Sequence, residues 1–459
     1  MPEILPPPER WDVTTDVAVI GGGACGIIAG LRAQQAGAEV LVLERDASST
    51  GSTALSSGFV PAPATRFQRA LGVEDSPDLL TRDVQAKAKG GAHPGITGMV
   101  SHQVGPALEW LTDRHGLEWI VLDAFLYPGH SVHRMHAVPE KTGAALIARL
   151  TAAGEAAGLP MAYQAHAVAL HHDGSAIVGI TIQRPDGATE TIGARAVILA
   201  CNGYGGNTDL VAAHIPEIAA APYFGHPGNT GDAVLWAEKL GAATRDLTAY
   251  QGHGSLAHPH GILITWALMM EGGIQVNARG ARFSNEHEGY SEQAVKVLAQ
   301  PGGVAWNVYD SRIHELGMGF PDYRQAQDAG AVRRGTLSEL AKIMDVPQDT
   351  LRRTLEDCHR YAGGAPDPLG RDFAGKPPLG EHLHAVRITG ALFHTQGGLE
   401  IDSHARVLRR DGTPIPGLYA GGGAACGVSG SRVEGYLSGN GLLTAVALGF
   451  VAGKAAATD

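Results

Sequence analysis

Residues 15–44 read TDVAVIGGGACGIIAGLRAQQAGAEVLVLE. The first six residues are an apolar run of the length of a buried parallel strand, and GGGACG at Gly21–Gly26 follows directly. IIAGLRAQQAG carries apolar residues at helical spacing and stops at Gly37; EVLVLE is a second buried strand ending on Glu44. This predicts strand, turn, helix, strand, with a separate task for each glycine. Gly21 permits the tight turn, Gly23 lets backbone approach a pyrophosphate, and Gly26 lets the helix lie on the strand. The helix N-terminus then faces the phosphates, and Glu44 accepts from a ribose hydroxyl. The expectation is an α/β dinucleotide-binding fold.

Three further blocks fit the same sheet. ARAVILACNGYGGN (Ala194–Asn207) is a buried strand entering a glycine turn, NTGDAVLWAEKLGA (Asn229–Ala242) a turn feeding an amphipathic helix, and GLYAGGGAACG (Gly417–Gly427) a last strand with its own turn. Several glycine turns at the strand ends of one sheet imply an extended cofactor rather than a single phosphate. Residues ~250–390 have another texture, with a hairpin-like GGIQVNARGARFSNE and a helical run TLSELAKIMDVPQDTLRRTLEDCHRYA. They read as a second domain inserted into the first. The expected division is 1–250 and 391–459 for the cofactor domain and 251–390 for the capping domain.

With 459 residues, 44% hydrophobic and 18% charged, the chain is that of a folded globular protein of two or three core units. A net charge of -11 argues against nucleic acid. No uninterrupted apolar run of membrane-spanning length occurs, so no membrane segment is expected. The first residues lack the basic and apolar regions of a signal peptide. Cys25, Cys201, Cys358 and Cys426 form no metal-ligand spacing, and a reducing, cytoplasmic setting is expected, with no metal. Near the C-terminus, EGYLSGNGLLTAVALGFVAG (Glu434–Gly453) places a tyrosine four residues ahead of an Asn-Gly step that opens an apolar helix. Such a helix start would suit something electron-rich, with a phenol held beside it.

With these motifs in order, and with TGSTALSSG (Thr50–Gly58) and HTQGGLEID (His394–Asp402), the chain resembles the fumarate reductase / 3-ketosteroid Δ1-dehydrogenase superfamily of FAD enzymes over roughly residues 15 to 456. The resemblance implies a Rossmann-type FAD-binding domain, an inserted α+β capping domain, and substrate bound between cap and isoalloxazine. It implies FAD contacts at Gly21, Gly23, Ala24, Gly26, Glu44, Arg45, Ser52, Thr53, Ser57, Gly58, Val168, Ala200, Asn202, Gly203, Asp232, Gly422 and Gly423. The last helix would present Asn440, Gly441, Leu442 and Leu443 to the pyrimidine end of the flavin, where a dipole and free N–H groups stabilise negative charge. TGSTALSSG has no histidine, so FAD is expected to be noncovalent. AGG at Ala420–Gly422 departs from the acidic AGE of the fumarate reductase branch.

The departures carry the chemistry. The two histidines of the soluble fumarate reductase pattern are kept as His253 in YQGHG and His394 in FHTQGG. The proton-donor arginine falls on Tyr290, the carboxylate-binding arginine on Tyr436, and the proton-relay partners on Trp266 and Met269. A dianion would be poorly compensated there. Tyr290 and Tyr436 instead resemble the ketosteroid dehydrogenase branch, in which one tyrosine abstracts a proton α to a ketone. A second tyrosine, with a backbone N–H matched here by Asn440, polarises the carbonyl. Tyrosine is a poor base at neutral pH, so Tyr290 would need a stabilised phenolate. His258 and His260 read as loop residues near the site mouth. The expectation is α,β-dehydrogenation next to a carbonyl, or the reverse ene reduction, on a steroid or smaller cyclic ketone, with an external electron acceptor or donor. The alternatives are a fumarate- or urocanate-type reductase, with Arg432 or the histidines holding a carboxylate, and a non-catalytic flavoprotein.

Overall fold

The computed structural model describes residues 2–459. Strand Val13–Ile20 is the axis of a nine-stranded sheet. It pairs in parallel with Val40–Leu43 on one side and with Thr189–Leu199 on the other. The sheet continues in parallel to Met161–Ala162 at one flank and to Pro414–Ala420 at the other. The chain therefore leaves the axis in both directions, which opens a crevice at the carboxyl ends of these strands. The antiparallel pair His166–His172 and Ile177–Gln183 joins through Thr189–Leu199.

The helix after the first turn spans Ala24–Gln35, and Gly37 ends it with φ +94°. Gly21 has φ +116°. A Cβ at Gly26 would stand 1.8 Å from Gly21 O, whereas one at Gly23 would meet only Thr53 Oγ1 at 3.5 Å. Gly26 is thus a packing glycine, and Gly23 leaves backbone bare toward the crevice.

A six-stranded antiparallel sheet stands over that crevice, with Tyr250–Ala257 and Leu383–Thr395 at its centre. Its pairing shifts register between Gln251 and Gly252 and again between His253 and Leu256. Such irregularities re-aim side chains, and His253 lies between them. Two features differ from the expected texture. GGIQVNARGARFSNE contributes one strand, Ile274–Val276, whose ladder partner is Val304–Asp310; the return closes by a single bridge, Val276 to Arg282. The helical run divides into Leu337–Met344 and Gln348–Ala362, because Asp345 adopts φ +55° and Pro347 follows.

The last helix, Asn440–Thr458, is long and apolar enough by composition to cross a bilayer. That corrects the expectation that no segment qualifies, which counted only uninterrupted apolar runs. In the fold this helix lies on Ala24–Gln35, and the two backbones touch. A Cβ at Gly449 would sit 2.5 Å from Cys25 O, and one at Gly453 would sit 2.2 Å from Ala29 O. Gly453→Val is therefore expected to destabilise the protein by about 3 kcal/mol through overpacking and to weaken FAD retention. Thermal unfolding with flavin release recorded in parallel checks this.

Candidate active site

One continuous cavity of about 630 Å³ runs from Glu44 and Arg45 to Tyr290 and Tyr436. Most residues expected at the cofactor line it: Gly21, Gly23, Ala24, Glu44, Arg45, Ser52, Thr53, Ser57, Gly58, Ala200, Asn202, Asp232, Gly422, Gly423, Gly441 and Leu442. Glu44 Oε2 accepts the Gly22 N–H at 2.8 Å, and Oε1 accepts the Asp46 N–H at 3.0 Å. Asn202 Nδ2 and Asn229 Nδ2 both donate to Ser52 Oγ, at 2.7 and 2.8 Å, and tie the turns of two strands together. Asn229 is a lining residue that the sequence reading quoted in NTGDAV without assigning it.

Six expected residues do not line the cavity. Gly26 and Gly203 pack behind it; a Cβ at Gly203 would stand 2.0 Å from Thr395 Oγ1. Val168 yields to its neighbours Ala165, His166 and Ala167. Leu443 is fully buried, and its N–H already bonds Gly439 O at 2.9 Å. The Asn440 N–H is likewise taken by Leu437 O at 3.0 Å. Neither residue therefore has a free N–H, and the backbone donors aimed at the site are displaced by one residue. The N–H groups of Gly439 and Gly441 face the Tyr436 hydroxyl, and that of Leu442 takes no backbone acceptor. Arg432 leaves the site altogether. Its side chain is 71% exposed and pairs with Glu434 at 3.2 Å, because the turn Val433–Gly435 carries it outward. His258 and His260 line a separate pocket with Trp306 and Arg387.

The remaining catalytic candidates converge. Tyr290, buried, is the first residue of helix Tyr290–Leu298, set by Gly289 at φ +142°. His253 stacks on its ring at 4.8 Å and on Phe393 at 5.1 Å. Trp266 closes the edge, with its ring 5.8 Å from His253 and 6.2 Å from Tyr290. The rings of Tyr290 and Tyr436 lie 6.0 Å apart, and His394 is 5.6 Å from Tyr436. The Tyr290 hydroxyl lies near the Ser438 and Tyr436 hydroxyls and the Gly439 N–H. Burial nevertheless pushes Tyr290 up to about 12. Tyr436 goes well above the ordinary tyrosine value, first through burial and then through the neighbouring Tyr290. Ser438, Gly439 and Tyr127, whose hydroxyl lies near Tyr290, were not expected from the sequence.

Both histidines are neutral, since burial lowers His253 to about 3 and His394 to about 4. His253 Nδ1 accepts the Ser255 N–H at 3.2 Å. For His394 a buried chain sets the tautomer. Asn440 Nδ2 donates to Ser429 Oγ at 3.0 Å, Ser429 donates to Gln396 Oε1 at 2.8 Å, and Gln396 Nε2 donates to His394 Nδ1 at 2.9 Å. Thr395 O also lies 3.3 Å from Nδ1; the Gln396 contact is the shorter, and an amide N–H on Nδ1 puts the proton on Nε2, the edge packed on Gly441, where a Cβ would approach to 2.9 Å. The only Arg and Lys in the cavity lining are Arg45 and Lys141, carried by the segments of Glu44 and Thr142; none stands among the tyrosines. Among the described residues no three His, Cys, Asp or Glu side chains gather as metal ligands.

The FAD binding domain family model matches residues 16–442. The chain belongs to that family and is an FAD-dependent oxidoreductase acting on CH–CH groups. The donor set fits the cofactor: backbone is bare at Gly23, a carboxylate ends the second strand, and an open N–H stands at Leu442. The chain is 29% identical to a probable fumarate reductase, Ifc3, of Shewanella frigidimarina, over 97% of this chain and 75% of that one. It is 26% identical to 4-oxocyclohexanecarboxylate 2-dehydrogenase of Sinomonas cyclohexanicum, over 97% and 95% respectively. It superposes with a TM-score of 0.78 on 3-ketosteroid-Δ4-(5α)-dehydrogenase of Rhodococcus jostii RHA1 in complex with 4-androstene-3,17-dione, at 27% identity and over 98% of each chain.

Gln396→Glu puts an acceptor where His394 Nδ1 now finds a donor. The imidazole proton is expected to move to Nδ1 and the His394 pKa to rise from about 4. Nitrogen-15 spectra of histidine-labelled protein read both changes, and an unmoved tautomer would break the chain as described.

Proposed function

We propose that this FAD enzyme desaturates the bond α,β to a ketone carbonyl, or reduces the corresponding enone. The observation that carries this reading is the tyrosine pair. Two phenols meet over one set of polar groups, the Ser438 hydroxyl and the N–H groups of Gly439 and Gly441. Such a corner can hold one phenol on the carbonyl oxygen and the other at the α carbon. Tyr436, receiving the Gly439 and Gly441 N–H groups on its oxygen, turns its own O–H outward to the substrate carbonyl. Tyr290 exchanges the proton at the α carbon. FAD, held noncovalently, supplies hydride acceptance or donation at the β carbon. Trp266, Phe393 and His253 exclude water, which strengthens every donor aimed at the developing enolate oxygen. The neutral Nε2–H of His394 adds a donor beside Tyr436.

An unsaturated-acid reductase is less well supported. Its carboxylate would need a cation, yet both histidines are neutral above pH 5 on the shifts given, Arg432 points to solvent, and the tyrosine end holds no Arg or Lys. The relative acting on 4-oxocyclohexanecarboxylate and the structure holding an androstenedione both support a cyclic ketone. The two sheets support an FAD domain interrupted by a cap, with the cap strand Leu383–Thr395 running past the expected boundary at 390. Four free thiols support a reducing, cytoplasmic setting, and electrons would exchange with an external donor or acceptor.

Anaerobic mixing with saturated cyclic ketones should bleach the visible flavin band, or enones should reoxidise the reduced flavin; inertness toward both would refute the reading. Tyr436→Phe should lower kcat/KM for ketones by about 10² to 10³-fold, with FAD content unchanged. The pH dependence follows from Tyr290. Its raised pKa leaves it a phenol at neutral pH, so desaturation, which needs the phenolate, should rise about tenfold per pH unit toward about 12. Enone reduction, which needs the phenol, should stay flat and fall only as that value is approached. Tyr290→Phe should abolish both slopes.

A further inference from the structure

The cavity continues beyond the tyrosines along an aromatic wall. Tyr127, near Tyr290, and Phe320 line it, and Phe125, behind the lining, packs on both, at 4.6 Å from Tyr127 and 6.0 Å from Phe320. Phe320 caps helix Pro321–Asp328, and this helix presents Asp322 and, one turn on, Gln325 to the same cavity. A wall of several rings suits a fused-ring body longer than one cyclohexane.

Asp322 is unlike the other carboxylates of the lining. Glu44 accepts two backbone N–H groups, Asp46 pairs with His226 at 3.1 Å, and Asp232 accepts from Thr230 at 3.0 Å. Among the described residues Asp322 has no side-chain hydrogen bond and no ion pair; it stands in the first turn of helix Pro321–Asp328, where the helix dipole favours a carboxylate, and it is half-buried. Burial alone raises its pKa; no charged neighbour contributes. A ligand filling the cavity would remove its remaining water. Leaving a carboxylate unpaired in that state is costly, so the ligand must bring a donor.

We propose that Asp322 is the recognition group for a hydroxyl at the end of the substrate remote from the reacting carbonyl. This makes hydroxylated fused-ring ketones the preferred class and anionic ones the rejected class. The proposal rests on the ketone reading for its orientation. A second carboxylate at that end would meet Asp322 with no cation between them, and an unsubstituted ring would strip the carboxylate of water and return nothing.

The holoenzyme is titrated with three probes, 2-decalone, 6-hydroxy-2-decalone and 6-oxodecalin-2-carboxylate. Binding is measured by equilibrium dialysis and flavin reduction is recorded separately. The native protein should bind the hydroxy ketone about tenfold tighter than 2-decalone, the scale of one hydrogen bond to a charged group, and should bind the carboxylate weakest. Asp322→Leu should level the hydroxy ketone with 2-decalone, and Asp322→Asn should raise affinity for the carboxylate about tenfold. An undiminished hydroxyl preference in Asp322→Leu, or native binding of the carboxylate as tight as that of the hydroxy ketone, overturns the assignment. The readouts also separate the two readings. A hydroxyl preference with neither flavin reduction by these ketones nor reoxidation of reduced flavin by the corresponding enones keeps Asp322 and sinks ketone chemistry, whereas either flavin reaction without the preference does the reverse.

Discussion

The corner at Gly439 is the constraint on which the site depends. Its φ of +87° is one that side chains rarely adopt, and a Cβ there would stand 2.6 Å from the Pro61 ring. Because the chain turns at this residue, the last helix begins immediately after it and its unpaired N–H groups face the cavity. The same turn places Ser438 and Tyr436 on the near side, so hydroxyls and backbone donors of consecutive residues meet at one point. His130 Nε2 pins the corner from behind by bonding Ser438 O at 2.9 Å. The rigidity of the helix that follows comes from its glycine contact with Ala24–Gln35, so the cofactor turn and the catalytic corner are two ends of one packed pair.

Burial dictates the electrostatics of that point. Two imidazoles and two phenols are enclosed together, and each is pushed toward its neutral form. A dicarboxylate entering such a place would find dipoles but no counter-charge. A ketone enters neutral and acquires charge only during reaction. The desolvation that penalises the first substrate is what makes hydrogen bonds to the second effective.

Legibility in the sequence followed the range of the interaction. The GGGACG turn and Glu44 were readable because strand, glycines and helix are contiguous, and each glycine answers a local steric demand. Tyr290 and Tyr436 were readable because each sits at a fixed distance from a motif. Asn440 was misassigned by one residue, since spacing places a helix start but not which of its N–H groups is consumed by the preceding turn. Arg432 was misassigned because closeness in sequence to Tyr436 says nothing of side-chain direction, and a single 3-10 turn reverses it. Tyr127, Phe320 and Asp322 carry no motif. They come from connections between elements, and only long-range packing of the cap on the FAD domain brings them into one wall. Gln396 lay in plain view within HTQGG, yet its role exists only through Ser429 and Asn440.

Under the proposed ketone chemistry, tyrosines at this corner use binding energy differently from arginines. A guanidinium binds a carboxylate equally well before and during reaction, so much of its attraction is spent on the ground state. The Tyr436 hydroxyl and the N–H groups behind it meet a carbonyl that is only weakly basic at first. Their hydrogen bonds strengthen as the α proton leaves and charge moves onto oxygen, and this difference lowers the barrier. Tyr290 gains from the same donors: Ser438, Gly439 and Tyr436 stabilise its phenolate relative to a phenol buried without them. In the proposed reaction a carbonyl that takes the Tyr436 proton withdraws it from Tyr290, whose basicity rises. Carbonyl binding and proton abstraction would then be coupled through a single hydroxyl.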